Sequence, residues 1–172
     1  ADFISAELKG LGFEVTIDDA GPKVGSNSGN VIGRLPGTCD GEPILFSCHM
    51  DTVSPGRGIK PVLADGVIRS DGTTILGGDD KAGIAEMLEA IRTTEQYPPL
   101  EIAISRQEEV GLLGVKNMDY SLITAKKGFL LDNDTLDTIF IGGGTPTTLA
   151  PAQLVELVQA VKVAFGLRPD AE

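Results

Sequence analysis

Four clusters of histidine or carboxylate, three of them at the end of a short apolar run, constrain this chain more tightly than any other feature. The first follows Pro43-Ile44-Leu45-Phe46, which is brief, apolar and preceded by turn residues, and so predicts a short buried strand. It leads into Ser47-Cys48-His49-Met50-Asp51-Thr52, which puts His49 and Asp51 at the strand's carboxyl end. At a spacing of two their side chains point to the same side and can reach one site. Open α/β sheets place their ligand sites outside the carboxyl ends of their strands. His49 is the only histidine in the chain. Alone it is open to the bland reading of a packed or surface residue; the acidic groups further along are what weigh against that reading.

The second run of chemistry is Gly77-Gly78-Asp79-Asp80-Lys81-Ala82-Gly83, followed by a helical apolar stripe of Ile84, Met87, Leu88 and Ile91 that ends before Pro98-Pro99. Asp79 or Asp80 is equally suited to cap that helix, because an aspartate accepts bonds from the first unpaired amides. The third is Glu108-Glu109, after the strand Leu100-Glu101-Ile102-Ala103-Ile104-Ser105 and before Val110-Gly111-Leu112-Leu113-Gly114-Val115, which reads as a helix start. Adjacent glutamates are commonly a solvated pair. The fourth is Asp132, closing the run Gly128-Phe129-Leu130-Leu131, where an Asx turn with Asn133 and Asp134 is the plainer alternative. Four such clusters, all carrying a carboxylate or an imidazole, carry more weight together than singly.

One histidine with several carboxylates is an oxygen and nitrogen donor set suited to zinc, manganese or cobalt. Competing motifs are missing from the sequence: no Cys-x-x-Cys pair, no His-Glu-x-x-His helix, no phosphate-binding glycine loop and no Gly-x-Ser-x-Gly elbow. A net charge of -11 argues against nucleic acid or an anionic membrane surface as partner and favours a site that collects cations. Two cysteines, Cys39 and Cys48, do not build a disulfide framework, so a reducing, cytoplasmic setting is expected. No apolar run approaches the ~18 residues of a membrane span.

The rest of the chain supplies the frame. With 172 residues, 41% of them hydrophobic, it is long enough to form one domain with a sizeable core. Phe3, Ile4, Leu8 and Leu11 follow helical spacing from the first residues, with Gly10 and Gly12 as the stop. A helix entered so early, in a chain opening at Ala1 without methionine, creates the expectation of further residues upstream. Residues 13–17 and 30–35 read as strands, 18–29 as a turn-rich stretch and 52–61 as a loop beside the site. Residues 62–70 read as a hairpin turning at Asp65-Gly66.

The segments "SCHMDTVSPG", "SDGTTILGGDDKAGIAEMLEAI", "EEVGLLGVK" and "GFLLDND" resemble, in order and over most of residues 1–142, the peptidase T-like branch of the co-catalytic zinc exopeptidases. That wider family also contains glutamate carboxypeptidase, aminoacylase and succinyl-diaminopimelate desuccinylase. The resemblance implies an α/β catalytic domain, a three-layer αβα sandwich with a mixed central sheet. It implies His49, Asp79 and Asp132 as ligands of a first metal, Asp79 as the carboxylate bridging to a second, and Glu109 as a ligand of that second metal. Asp51 resembles the carboxylate that orients the histidine through its other ring nitrogen, a partnership such ligands usually need. Glu108 resembles the general base. The implied reaction is metal-assisted hydrolysis of an N-terminal peptide bond in a small peptide.

One departure from the family pattern sets a further expectation. Thr138-Ile139-Phe140-Ile141 runs into Gly142-Gly143-Gly144-Thr145-Pro146, and a closing helix with the stripe Leu154, Leu157, Val158, Val161 and Phe165 follows directly. Relatives insert a lid or dimerisation domain near 142–148 and then supply a histidine that completes the second metal. Residues 1–172 therefore read as a single catalytic domain without lid, with a second metal held by Asp79 and Glu109 alone. Tight binding of one metal and slow or absent turnover are expected. The alternatives are a metal-binding fold with weakened catalysis and a structural or partner-binding relic; subunit pairing is left open, because the surface that pairs lidded relatives is missing.

Overall fold

The computed structural model describes residues 1–131. Asp132, the glycine-rich segment and the closing helix fall outside these described residues.

The first helix, α1 (Asp2–Gly10), places an acid in its first turn and a lysine in its last, as the helix dipole favours. It buries Leu8, and Ile4 and Leu11 pack against the same core, whereas Phe3 points to solvent at 75% exposure. The chain then reverses at Gly12, whose φ of +94° a side chain would resist. Strand β1 (Glu14–Ile17) follows, then a one-turn helix α2 (Ala20–Lys23) inside the stretch expected to be turns. Asp18 explains it: Oδ1 accepts the Ala20 N–H at 3.1 Å and so starts the turn with a side chain in place of a backbone carbonyl.

Strands β2 (Val31–Leu35), β3 (Ile44–His49), β6 (Leu100–Ser105) and β7 (Lys127–Leu130) join β1 in a mixed sheet of order β1-β2-β6-β3-β7; β4 (Pro61–Ala64) and β5 (Val67–Ser70) lie between β3 and β6 in the chain. β1 with β2 and β2 with β6 are antiparallel, while β6, β3 and β7 run parallel. β3 continues to His49 because its ladder with β6 runs from Ile44 opposite Leu100 to His49 opposite Ser105. That register brings the carboxyl ends of β3 and β6 side by side. All six residues of β6 are buried, as a strand covered on both faces requires.

Alternation along the strands divides the core in two. On one face Val31, Cys48, Ile102 and Ile104 meet Leu8 of α1 and Ile84, Met87, Leu88 and Ile91 of helix α3 (Lys81–Thr93). On the other, Ile32 and Ala103 meet Met118, with Leu45, Leu122 and Ile123 beside them, after the short helix α4 (Leu113–Lys116). This is the layered α/β architecture with a mixed central sheet. Phe46 and Phe129 stack between β3 and β7, with ring centroids 5.7 Å apart. The hairpin β4–β5 turns at Asp65 and Gly66, both at positive φ as a two-residue primed turn needs, and stands as a separate two-stranded ribbon.

Glu101, a charged residue in the most buried strand, is only 4% exposed. Burial pushes its carboxyl up, but the Thr124 hydroxyl, the Ala125 and Thr124 amides and the Arg34 guanidinium together hold it below the usual range. Arg34 in turn donates to the Leu122 carbonyl. A carboxyl lowered on folding contributes stability above its unfolded pKa of about 4.3, and that contribution is lost as pH falls through the lower folded value. Glu101→Gln is expected to flatten the acid limb of the stability–pH curve below about pH 4. Glu101→Ala, which strands buried donors, is expected to cost about 1–3 kcal/mol at neutral pH, read by urea unfolding.

Candidate active site

The site begins where β3 ends. His49 is 2% exposed, yet its two ring nitrogens have different neighbours. Nδ1 lies 3.1 Å from the backbone carbonyl of Asp51. A carbonyl can only accept, so Nδ1 carries the proton and Nε2 is the nitrogen left to work. Nε2 faces Asp79 Oδ1 at 3.1 Å and Glu108 Oε2 at 4.0 Å. A neutral imidazole would turn a lone pair toward these carboxylates. The arrangement therefore needs a positive charge at Nε2, either a second proton or a cation shared by imidazole and carboxylate.

Asp51 organises the opposite side. Its carboxylate stands 3.8 Å from Nδ1, further than its own carbonyl, because its oxygens are engaged elsewhere: Oδ1 accepts the Glu108 N–H at 3.0 Å and Oδ2 the Glu109 N–H at 3.2 Å. One residue thus orients the imidazole with its main chain and holds the double-glutamate turn with its side chain. Glu108 and Glu109 are half-buried and held by their amides, unlike a freely solvated pair. Gln107 just before them has a φ of +54° and Leu112 just after has a φ of +60°, so the loop turns sharply on both sides of the glutamates.

The aspartate pair divides its labour. Asp80 occupies the N-cap position of α3 but makes no side-chain cap bond there. Instead Oδ2 accepts the His49 backbone N–H at 3.0 Å, with the residue 1% exposed. Asp79 is turned outward, its side chain 47% exposed beside Nε2. The Asp79–Asp80 peptide is cis. Neither aspartate therefore serves as the simple cap that sequence alone allows. Lys81 reaches toward the Met50 carbonyl at 3.5 Å. Desolvation lowers its pKa, against the pull of Asp51, Asp79 and Asp80, which raise it.

The structure thus brings together His49, Asp51, Asp79, Glu108 and Glu109. Ligand atoms of His49, Glu108 and Glu109 all lie within 4.8 Å of one another, and Asp79 joins through its contact with Nε2. One imidazole nitrogen with carboxylate oxygens is a donor set that zinc, manganese or cobalt accepts. Asp132 lies outside the described residues. Two participants escape sequence reasoning: Asp80, whose nearest signal was its place beside Asp79, and Asn30, which no motif marks.

Parallel strand ends presenting one imidazole to several carboxylates belong to a class that comparison with known proteins identifies. Residues 30–138 match Peptidase family M28, and the chain belongs to that family. Within that family its likeness runs to peptidase T-like proteins. It is similar to aminopeptidase PepT from Bacillus cereus, with 47% identity and a TM-score of 0.76 over 80% of this chain and 38% of that one. It is similar to a tripeptidase from Staphylococcus aureus, with 33% identity and a TM-score of 0.75 over 80% of this chain and 38% of that one. It is also 44% identical over 135 residues to the uncharacterized protein YqjE of Bacillus subtilis, covering 76% of this chain and 36% of that protein. The chain therefore spans less than two fifths of the length of each of these relatives.

Gly83 offers a test of how tightly the site is packed. A Cβ there would stand 2.3 Å from Asp80 Oδ1 and 2.9 Å from the Leu131 carbonyl. Alanine in a helix interior is ordinarily favoured over glycine by about 0.5–1 kcal/mol. Overpacking of ~1–3 kcal/mol should reverse that sign here. Gly83→Ala is expected to lower the urea midpoint; an increase would show that Asp80 has room to move.

Proposed function

We propose that this chain carries the metal-binding and catalytic core of an exopeptidase that removes N-terminal residues from small peptides, tripeptides among them. The observation that carries the reading is the pairing at His49: Nδ1–H is committed to the Asp51 carbonyl, and Nε2 faces the carboxylates of Asp79 and Glu108. The names of the relatives, an aminopeptidase and a tripeptidase, support the choice of substrate.

His49, Asp79, Glu109 and Asp132 would hold the metal, zinc in the first instance, with manganese or cobalt as alternatives the same donors accept. When bound, such an ion supplies Lewis acidity toward the scissile carbonyl and acidifies water. The chain's own residues do the rest. Asp51 keeps the imidazole in the Nδ1–H tautomer and sets the position of both glutamates through their amides. Glu108 takes a proton from the attacking water and returns it to the departing amine. Lys81, beside three aspartates, offsets part of their mutual repulsion.

A second reading, a metal-binding domain with weakened catalysis, is favoured by one observation: among the described residues the site gathers one imidazole, His49, beside carboxylates. Two ions of the co-catalytic kind would then share a donor set in which only one has an imidazole. No helix among the described residues is long and apolar enough to cross a membrane. We place this core in the cytoplasm, the reducing setting that a chain with only two cysteines favours.

Isothermal titration with zinc is expected to show one tight site, weakened by His49→Ala beyond the ~10–100-fold that loss of an orienting neighbour costs. Binding indifferent to His49 would sink the metal-site reading. Glu108→Gln is expected to keep zinc while lowering release of the N-terminal residue from a tripeptide by about 10²–10⁴-fold. Slow turnover by the 172-residue chain fits the weakened reading; robust hydrolysis would exclude it in favour of a complete site.

A further inference from the structure

Asn30 immediately precedes β2 and has no exposed surface. Its carboxamide is committed on every side. Oδ1 accepts the Arg106 N–H at 3.0 Å, and Nδ2 donates to the Gly114 carbonyl at 3.0 Å and to Asp18 Oδ2 at 2.8 Å. Arg106 and Gly114 are the two ends of the loop that carries Glu108 and Glu109. A single buried amide therefore ties that loop at its entrance and its exit, while Asp51 holds its middle.

Asn30 is itself anchored. Asp18 Oδ1 accepts the Asn30 N–H at 2.8 Å, and Oδ2 also accepts the Asp119 N–H at 3.2 Å. At Gly114 a Cβ would lie 1.9 Å from the Arg106 carbonyl and 2.5 Å from Asn30 Oδ1, so the loop's ends close directly against each other and against this amide. The Arg106 side chain adds bonds to Ser26 Oγ at 2.8 Å and Asn27 Oδ1 at 2.7 Å, pulling the same end toward the segment that leads into Asn30. Backbone turns with two non-glycine residues at positive φ, Gln107 and Leu112, need such external restraint to persist.

We infer that Asn30 is a positioning residue for the double-glutamate turn, setting where the Glu108 and Glu109 carboxylates stand relative to His49. The inference rests on the hydrolase reading for its functional meaning, but the restraint itself does not. Asn30 touches no reacting group; it acts through the loop. A carboxamide suits this role because it offers an acceptor to one loop end and a donor to the other, which a carboxylate or an aliphatic side chain cannot supply together.

The test compares wild type, Asn30→Ala and Asn30→Asp by metal-free amide hydrogen exchange, zinc titration and tripeptide kinetics. Loss of the buried bonds is expected to accelerate exchange across 106–114 by about 10-fold or more, with α3 and β3 near wild type. Zinc affinity is expected to fall ~10–100-fold, and kcat to fall with KM little changed. Asn30→Asp keeps the volume and the acceptor for Arg106 but sets a carboxylate against both the Gly114 carbonyl and the Asp18 carboxylate. It should loosen the Gly114 end in the same assays, and it decides the matter if Asn30→Ala does not fold. Unchanged loop exchange and zinc affinity in a folded variant would overturn the inference, as would acceleration spread equally over α3 and β3, the mark of a general packing role. Loop loosening in variants of a chain that binds zinc but never turns over would support the positioning role and leave only the weakened-catalysis reading of the site. Turnover and exchange that ignore Asn30 would overturn the positioning role and leave the hydrolase reading standing.

Discussion

The segment from His49 to Asp51 is where the fold and the chemistry become one constraint. The Asp51 carbonyl accepts a hydrogen bond from Nδ1–H, and the carboxylate of the same residue accepts two consecutive amides of the Glu108–Glu109 turn. None of these three bonds is strong in isolation; each of the two to the carboxylate is worth about 1.5–3 kcal/mol. Their value lies in what they couple. The imidazole cannot rotate without releasing its carbonyl, and the glutamate turn cannot move without exposing amides. Asp80 adds a further restraint by accepting the His49 N–H.

That local lock works only because the sheet delivers its parts in register. β3 and β6 are parallel neighbours, with His49 opposite Ser105, so the two chain segments that continue into Asp51 and into Glu108 emerge next to each other. α3, which begins just after Asp79 and Asp80, packs Ile84, Met87, Leu88 and Ile91 on the same face that buries Cys48 and Ile104. The apolar interior thus fixes the backbone, and the backbone fixes a cluster of like charges that would disperse in an unfolded chain. Asp51, Asp79, Asp80, Glu108 and Glu109 converge with Lys81 as the cation beside them, and so many carboxylates in one place is a standing attraction for a divalent ion.

Much of this was legible in the residue order, and the reasons are physical. Short, mostly apolar runs marked β3 and β6, although β6 also buries Glu101, whose partners no local pattern announces. The stripe of α3 followed from helical spacing, and the Asp65-Gly66 turn from its need for positive φ. His49 with its acidic neighbours stood out because histidine is rare here and because strand ends are where such sheets react. What stayed hidden depends on contacts between distant segments. Phe3 satisfies the helical stripe yet faces solvent, since propensity does not say which way the helix rolls. α2 rests on Asp18, a side chain standing in for a backbone carbonyl. Asp51 reads as a carboxylate partner for the histidine, yet it is the carbonyl that approaches Nδ1 more closely. Asn30 joins residues 18, 106 and 114, and no local pattern encodes that meeting.

An anomalous-scattering map collected at the zinc edge, from crystals grown with zinc, probes the metal site most directly. The expected result is a peak bonded to His49 Nε2 and carboxylate oxygens of the Asp79 and Glu109 side chains, with Nδ1 still on the Asp51 carbonyl. A map with no peak at His49, or with zinc held elsewhere while Nε2 keeps only a proton between itself and Asp79, would contradict it.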